Sequence, residues 1–199
     1  MQRKRTNDLR IATWNIRTML APGRMEEIGR ELIKHKYDIT AIQETRWKGQ
    51  GEIKKKEYTV YYSGTENRTG QKGTGFIITG KTRESILGFE PVNERICKIR
   101  IKGRFRNITL ICVYAPTEDA ASEEKESFYE EVNNTLRRIP RYDLTILLGD
   151  LNAKIGKEDF IRPVSGLYSL HEETNDNGSL LGQLAAANKM IIKSTCFKH

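Results

Sequence analysis

Short apolar runs alternate with amphipathic stretches along the whole chain. Leu9 to Ile16 has the pattern of a strand, with Ile11 expected to be buried and Asn15 near its C-terminal end. From Met25 to His35 the apolar residues fall at Met25, Ile28, Leu32 and Ile33, a helical spacing. Asp38 to Glu44 returns to a strand pattern and ends in polar residues. Further strand-like runs follow at Tyr58–Ser63, Thr74–Thr79, Ile86–Phe89 and Ile96–Ile101, parted by turns rich in glycine and charge. Lys48 to Lys56 reads as a basic loop. Asn107 to Tyr114 is a strongly apolar strand that stops at Ala115-Pro116-Thr117. Ser122 to Ile139 is predicted helical: Ser122 can cap it, Glu123, Glu124 and Glu126 sit at its positive end, and Arg137 and Arg138 lie near its negative end. An apolar strand from Leu144 to Leu148 leads into Gly149-Asp150-Leu151-Asn152, and a helix near Ser179–Asn188 and a strand at Met190–Ser194 close the chain. This order predicts an α/β fold with two packed sheets under flanking helices. It forms one domain over residues 8–199, behind a flexible basic arm at residues 1–7.

Composition narrows the class. A chain of 199 residues suits one domain with a real core. A formal charge of +8 and a pI near 9.4 favour a polyanionic partner, because Lys and Arg that neutralise phosphates release counterions. Charge alone does not select nucleic acid. No apolar run is long enough to span a bilayer, and the basic start is not followed by an apolar signal core, so neither a membrane partner nor secretion is expected. Cys97 and Cys112 fall in apolar runs and read as buried thiols, which fits a reducing, intracellular setting with the nucleus included. A monomer is expected.

The candidate chemistry lies where apolar strands end: Trp14-Asn15-Ile16-Arg17, Gln43-Glu44-Thr45-Arg46, Tyr114-Ala115-Pro116-Thr117 and Gly149-Asp150-Leu151-Asn152. Each has an ordinary explanation alone. Asp150 and Asn15 can serve turns, Glu44 can pair with Arg46, and the Tyr114 hydroxyl can find a backbone partner. If the ends converge, they supply two carboxylates, two amides and a phenol, a set suited to a hard divalent cation that needs few carboxylates. Two carboxylates close together repel unless a metal or a proton lies between them. No His or Cys cluster supports zinc, and His35 and His171 read as surface or packing residues. Arg46, two residues after Glu44, is expected to alternate onto the same face and reach a phosphate.

Taken in this order, the four signatures resemble the endonuclease/exonuclease/phosphatase superfamily, which includes abasic-site nucleases and DNase I-like enzymes. The resemblance runs from about Leu9 to Phe197 and is most specific at Ile146-Leu147-Leu148-Gly149-Asp150-Leu151-Asn152. More narrowly, Thr13-Trp14-Asn15-Ile16-Arg17-Thr18, Gln43-Glu44-Thr45-Arg46-Trp47 and Asn175 to Thr195 resemble endonuclease domains of non-LTR retrotransposons. They resemble equally the craniofacial development protein 2 group.

The resemblance implies a four-layer α/β sandwich and a Mg²⁺-dependent (or Mn²⁺-dependent) phosphodiesterase acting on DNA. Glu44 then matches the metal-binding carboxylate and Asn15 the amide supporting the metal shell. Asp150 matches the carboxylate that orients or deprotonates water, with a place in the metal site. Asn152 matches the amide on the scissile phosphate, and Tyr114 the phenol contacting it in the transition state. The family continues past a Thr-x-Phe strand like Thr195-Cys196-Phe197 into further strands and a closing Asp-His segment. His199 does not match that segment, so missing strands and impaired catalysis are the expectation, and restoring the segment is expected to restore nicking. Two other readings stay open: a phosphatase for phosphoinositides or small phosphoesters, and an inactive remnant that binds nucleic acid or protein.

Overall fold

The computed structural model describes residues 8–66 and 70–198, so the basic arm expected at residues 1–7 lies outside the described residues. The chain divides into two compact units, one of residues 1–114 and 142–149 and one of residues 115–141 and 150–199.

The first unit holds two β-sheets. Its strands are β1 (Ile11–Asn15), β2 (Ile39–Gln43), β3 (Gln50–Lys54), β4 (Tyr58–Ser63), β5 (Thr74–Thr79), β6 (Ile86–Pro91), β7 (Ile96–Ile101), β8 (Ile108–Tyr114) and β9 (Leu144–Asp150, whose last residue belongs to the second unit). One sheet has the order β1-β2-β5-β4-β3 and the other β6-β7-β8-β9. The first sheet is mixed, since β1 runs parallel to β2 while the remaining pairs are antiparallel. In the second sheet β7 is antiparallel to both β6 and β8. β9 runs parallel to β8: Leu144 N donates to Asn107 O at one end (2.8 Å) and Ala115 N to Asp150 O at the other (2.9 Å).

Two-residue periodicity decides which side chains meet. Ile39, Ala41, Phe76 and Ile78 of the first sheet pack with Cys97, Ile99, Ile101, Leu110 and Cys112 of the second, forming the layer between the sheets. Ile42, Val60 and Ile77 point the other way, onto Ile28 and Leu32 of helix α1 (Arg24–Lys34). Every residue of β2 is buried, because the strand is covered on both faces. Ile11 is only half-buried, contrary to the sequence expectation, because β1 is an edge strand.

The second unit contains helices α2 (Ser122–Arg137) and α3 (Asp176–Ala187), which touch each other. Gly178 and Gly182, one turn apart on α3, let the segment 154–161 lie against the helix. A Cβ on Gly178 would come within 2.0 Å of the Lys154 carbonyl oxygen, and one on Gly182 within 2.3 Å of Ile161 Cδ1.

Several local expectations are corrected. Gln50–Lys54 forms a strand where a basic loop was expected: it pairs with β4 as an edge strand, and Ile53 packs against the cluster of Ile42, Val60 and Ile77. Ala121, with no side-chain hydrogen bond, occupies the cap of α2, and Ser122 is its first helical residue. Helix α3 begins earlier than Ser179, capped by the Asn175 side chain, which accepts from Gly178 N at 2.8 Å. The strand expected at Met190–Ser194 shrinks to one bridge between Ile192 and Ser165, followed by a 3₁₀ turn at Lys193–Cys196. Thr195-Cys196-Phe197 is therefore not a strand.

Replacing Gly by Ala inside a helix favours folding by about 1 kcal/mol from propensity alone. At Gly178 the obstacle is backbone, and overpacking of that kind costs roughly 1–3 kcal/mol. Gly178→Ala is thus expected to lower the urea midpoint. Gly182→Ala, which meets only the tip of a flexible Ile161 side chain, is expected to lower it less or raise it.

Candidate active site

Strand ends of the first unit meet at Glu44, which follows β2 directly. Its side chain is 15% exposed. Oε1 accepts hydrogen bonds from Asn15 Nδ2 (2.9 Å), at the end of β1, and from the Tyr114 hydroxyl (3.1 Å), at the end of β8. Oε2 accepts from Arg46 Nη2 at 3.0 Å. Burial works against the charged form of Glu44. The bonds from Asn15, Arg46 and Tyr114, with the charge of Arg46, outweigh it and hold the carboxyl below its ordinary value.

The backbone here is not a continuing strand. Glu44 and Arg46 both have φ of 59°, in the left-handed region that non-glycine residues seldom occupy. Arg46 shares a side with Glu44 through these two turns, not through the strand alternation expected from sequence. The conformation is held by its neighbours: Thr45 N donates to Gly73 O (3.2 Å), Arg46 N to Lys72 O (2.8 Å) and Met19 N to Thr45 O (3.1 Å). Gly73, at φ 117°, must be glycine, since a Cβ there would stand 2.2 Å from Thr45 Oγ1. Arg46 keeps a buried Nε–H that lacks a protein partner among the described residues.

Tyr114 is positioned by Arg95, which sequence reasoning missed. Tyr114 N donates to Arg95 O (2.9 Å), Arg95 Nη1 donates to Tyr114 O (3.0 Å), and the guanidinium carbon lies 5.5 Å from the ring centroid. One arginine in an unremarkable turn, Asn93-Glu94-Arg95, carries no sequence signal for this task.

Asp150 and Asn152 belong to the second unit. Asp150 Oδ1 accepts from Asn152 N at 3.1 Å, a turn closed by the aspartate side chain, and Asn152 takes φ 47°. Asn152 Nδ2 donates to Ala115 O (2.9 Å), and its own carbonyl accepts from Asn175 Nδ2 (3.2 Å). Asn175 also donates to Glu118 Oε2 (2.8 Å), while Glu118 Oε1 accepts from Asp176 N (3.0 Å) at the start of α3. Lys125 bonds the Glu118 carbonyl (3.0 Å) and pairs with Asp176 (2.5 Å). Glu118, Lys125, Asn175 and Asp176 thus form the frame around Asn152. The sequence hinted at them only through the cap-like Asn175-Asp176-Asn177-Gly178.

The ordinary readings of these signatures are also realised. Asn15 Oδ1 accepts from Arg17 N (2.9 Å), Glu44 pairs with Arg46, and Asp150 closes a turn. His35 ends α1 on the surface beside Glu31, and His171 is exposed in a loop. Cys97 and Cys112 are buried, free and register partners on β7 and β8, and burial pushes the Cys97 thiol up.

The donor chemistry of Glu44 fits a hard cation. Each carboxylate oxygen has about two acceptor directions. Oε1 uses both and Oε2 one, which leaves an anionic oxygen direction at Oε2. No group of three or more His, Cys, Asp or Glu residues is arranged to hold a metal among the described residues. Mg²⁺ does not need one, since it keeps waters and takes one or two carboxylates with substrate phosphate.

Residues 12–188 match the sequence model of the Endonuclease/Exonuclease/phosphatase family. The chain belongs to that family. It is 32% identical over 189 residues to craniofacial development protein 2 of Bos taurus, covering 95% of this chain and 31% of that protein, so it spans under a third of the curated relative's length. Among solved structures, an AP endonuclease from Archaeoglobus fulgidus superposes with a TM-score of 0.60 at 19% identity, over 90% of this chain and 71% of that one. The endonuclease domain of TRAS1, a telomere-specific non-LTR retrotransposon, gives 0.58 at 20% identity over 91% and 71%. These likenesses establish the fold: two mixed β-sheets with helices, as expected. The family is described by the activities of endonucleases, exonucleases and phosphatases. No helix of the described residues is long and apolar enough to cross a membrane.

The lowered Glu44 pKa carries a pH signature. Its stabilising contribution is complete above the ordinary value of 4.5 and is lost as pH falls from there through the lower folded value. The stability advantage of the natural chain over Glu44→Gln, read from urea midpoints, should be constant near neutral pH and shrink below about pH 4.5.

Proposed function

We propose that this chain is the catalytic domain of a Mg²⁺-dependent DNA endonuclease of the retrotransposon type, with residues 8–199 acting as one functional domain. The observation that carries this reading is Glu44: a mostly buried carboxylate, held charged by Asn15, Tyr114 and Arg46, with an oxygen direction left for a cation. The net charge of +8 and the likeness to a retrotransposon endonuclease domain favour DNA over a small phosphoester.

In this reading Glu44 holds the metal ion, and Asn15 keeps that carboxylate oriented and charged. A bound Mg²⁺, or Mn²⁺, supplies charge stabilisation to the phosphate and lowers the pKa of bound water. Asp150, also assigned to the metal site, orients and deprotonates the attacking water. Asn152, its backbone fixed by Asp150 and Asn175, presents its side-chain amide to the scissile phosphate. The Tyr114 phenol donates to the phosphate oxygens as charge builds there. Arg46 engages Glu44 through one nitrogen, so other N–H groups of its guanidinium remain for a phosphate.

Incubation of the chain with supercoiled plasmid and Mg²⁺ should produce nicked circles slowly, in keeping with the impaired catalysis expected above, and EDTA should abolish them. Glu44→Ala and Asp150→Ala should each lower the rate by on the order of 10²–10³-fold. Nicking that neither substitution alters would overturn the assignment. Phosphate release from a phosphoinositide without nicking would transfer the site to another phosphoester class.

A further inference from the structure

The β7–β8 hairpin, at the end of β8 opposite Tyr114, concentrates basic residues. Residues 95–117 contain no Asp or Glu but carry Arg95, Lys98, Arg100, Lys102, Arg104 and Arg106. Two of these are matched by acids: Lys98 with Glu90 (3.0 Å) and Arg100 with Asp143 (2.7 Å). Lys102, Arg104 and Arg106 at the hairpin are exposed and have no carboxylate partner among the described residues. Two aromatic rings stand among them. Phe105 is 82% exposed and Tyr142, just before β9, is 66% exposed.

Each ring is paired with a guanidinium. The Arg104 guanidinium carbon lies 5.2 Å from the Phe105 centroid, and that of Arg106 lies 4.9 Å from the Tyr142 centroid. The rings remain open to solvent despite these contacts. Hydrogen bonds brace the backbone beside both rings. Gly103 N donates to Asn107 Oδ1 (3.3 Å), and a Cβ on Gly103 would stand 1.8 Å from Arg106 O, so the turn is tight. Beside Tyr142, the Asp143 carboxylate accepts from Arg100 (2.7 and 2.9 Å) and from the Thr109 hydroxyl (2.7 Å), fixing the start of β9 to β7 and β8.

Exposed Arg–aromatic pairs with surplus positive charge suit a polyanion whose monomers have flat faces. We infer that this hairpin binds an unpaired stretch of nucleic acid: bases stack on Phe105 and Tyr142, and Lys102, Arg104 and Arg106 take the phosphates. A protein partner would need acids to match the charge and would leave the paired rings without a stacking role. At about 3.3 Å per residue, the length of β8 puts this surface roughly 20 Å from Tyr114. A base stacked on Phe105 is therefore not in contact with the Glu44 carboxylate. The inference does not rest on the phosphodiesterase reading.

The test is fluorescence anisotropy with a labelled dT12 oligonucleotide in EDTA, beside an abasic oligonucleotide of equal length and charge. Phe105→Ala with Tyr142→Ala should weaken dT12 binding about tenfold or more and leave abasic binding nearly unchanged. Arg104→Ala with Arg106→Ala should weaken both ligands and reduce the salt slope by roughly 1.4. Unchanged dT12 affinity in the aromatic double variant, or an equal loss for the abasic ligand, would overturn the inference, as would a surface that binds only protein. Circular dichroism of each variant confirms that the fold is kept.

Discussion

Strands β2 and β8 face each other across the layer between the sheets, and the candidate chemistry depends on that contact. The Gln43 side chain, almost wholly buried, donates to Cys112 Sγ at 3.2 Å, and the Cys112 thiol donates to Ile42 O at 3.4 Å. Around these links the apolar inner faces exclude water from Ile39, Phe76, Ile99 and Leu110. With the two strands fixed so, the next residue of β2 and the last of β8 have little freedom but to meet. The Glu44 carboxylate and the Tyr114 phenol do so at 3.1 Å. Burial of apolar surface, which is non-directional, thereby becomes a directional polar contact at the sheet ends.

That contact has a cost that its surroundings offset. A mostly buried carboxylate is unfavourable unless it accepts hydrogen bonds or faces positive charge. Asn15, Tyr114 and Arg46 meet the requirement from three parts of the chain, at the expense of left-handed backbone at Glu44 and Arg46. The segment 70–73, with Gly73 as its necessary glycine, braces the strained backbone. A half-dry anionic oxygen maintained in this way is useful to a hard cation, which connects the sheet packing to the proposed hydrolysis.

In the second unit, the same logic runs through Glu118. It collects Asn175, Asp176 and Lys125 around the start of α3, and Asn175 in turn fixes the backbone of Asn152. The glycines of α3 serve this arrangement, since Gly178 lies against Lys154 while its N–H bonds the capping Asn175.

The sequence by itself determined the kind of fold, most strand positions and the candidate residues, because two-residue and helical periodicities are local and polar groups at strand ends interrupt them visibly. It singled out Asn15, Glu44, Tyr114, Asp150 and Asn152 as candidates from their places at strand ends; the structure brings the first three together and puts the last two in one turn. Tertiary structure alone decided what depends on partners distant in the chain. β3 forms by pairing along its whole length with β4, with Ile53 packed against the core, whereas Met190–Ser194 finds only the bridge of Ile192 with Ser165 among the described residues. Arg46 reaches Glu44 through left-handed turns braced by residues 70–73, and Arg95 grips Tyr114 from a turn with no motif. Hydrogen-bond partners of this sort are set by which strands become neighbours, and no pattern within one segment encodes that.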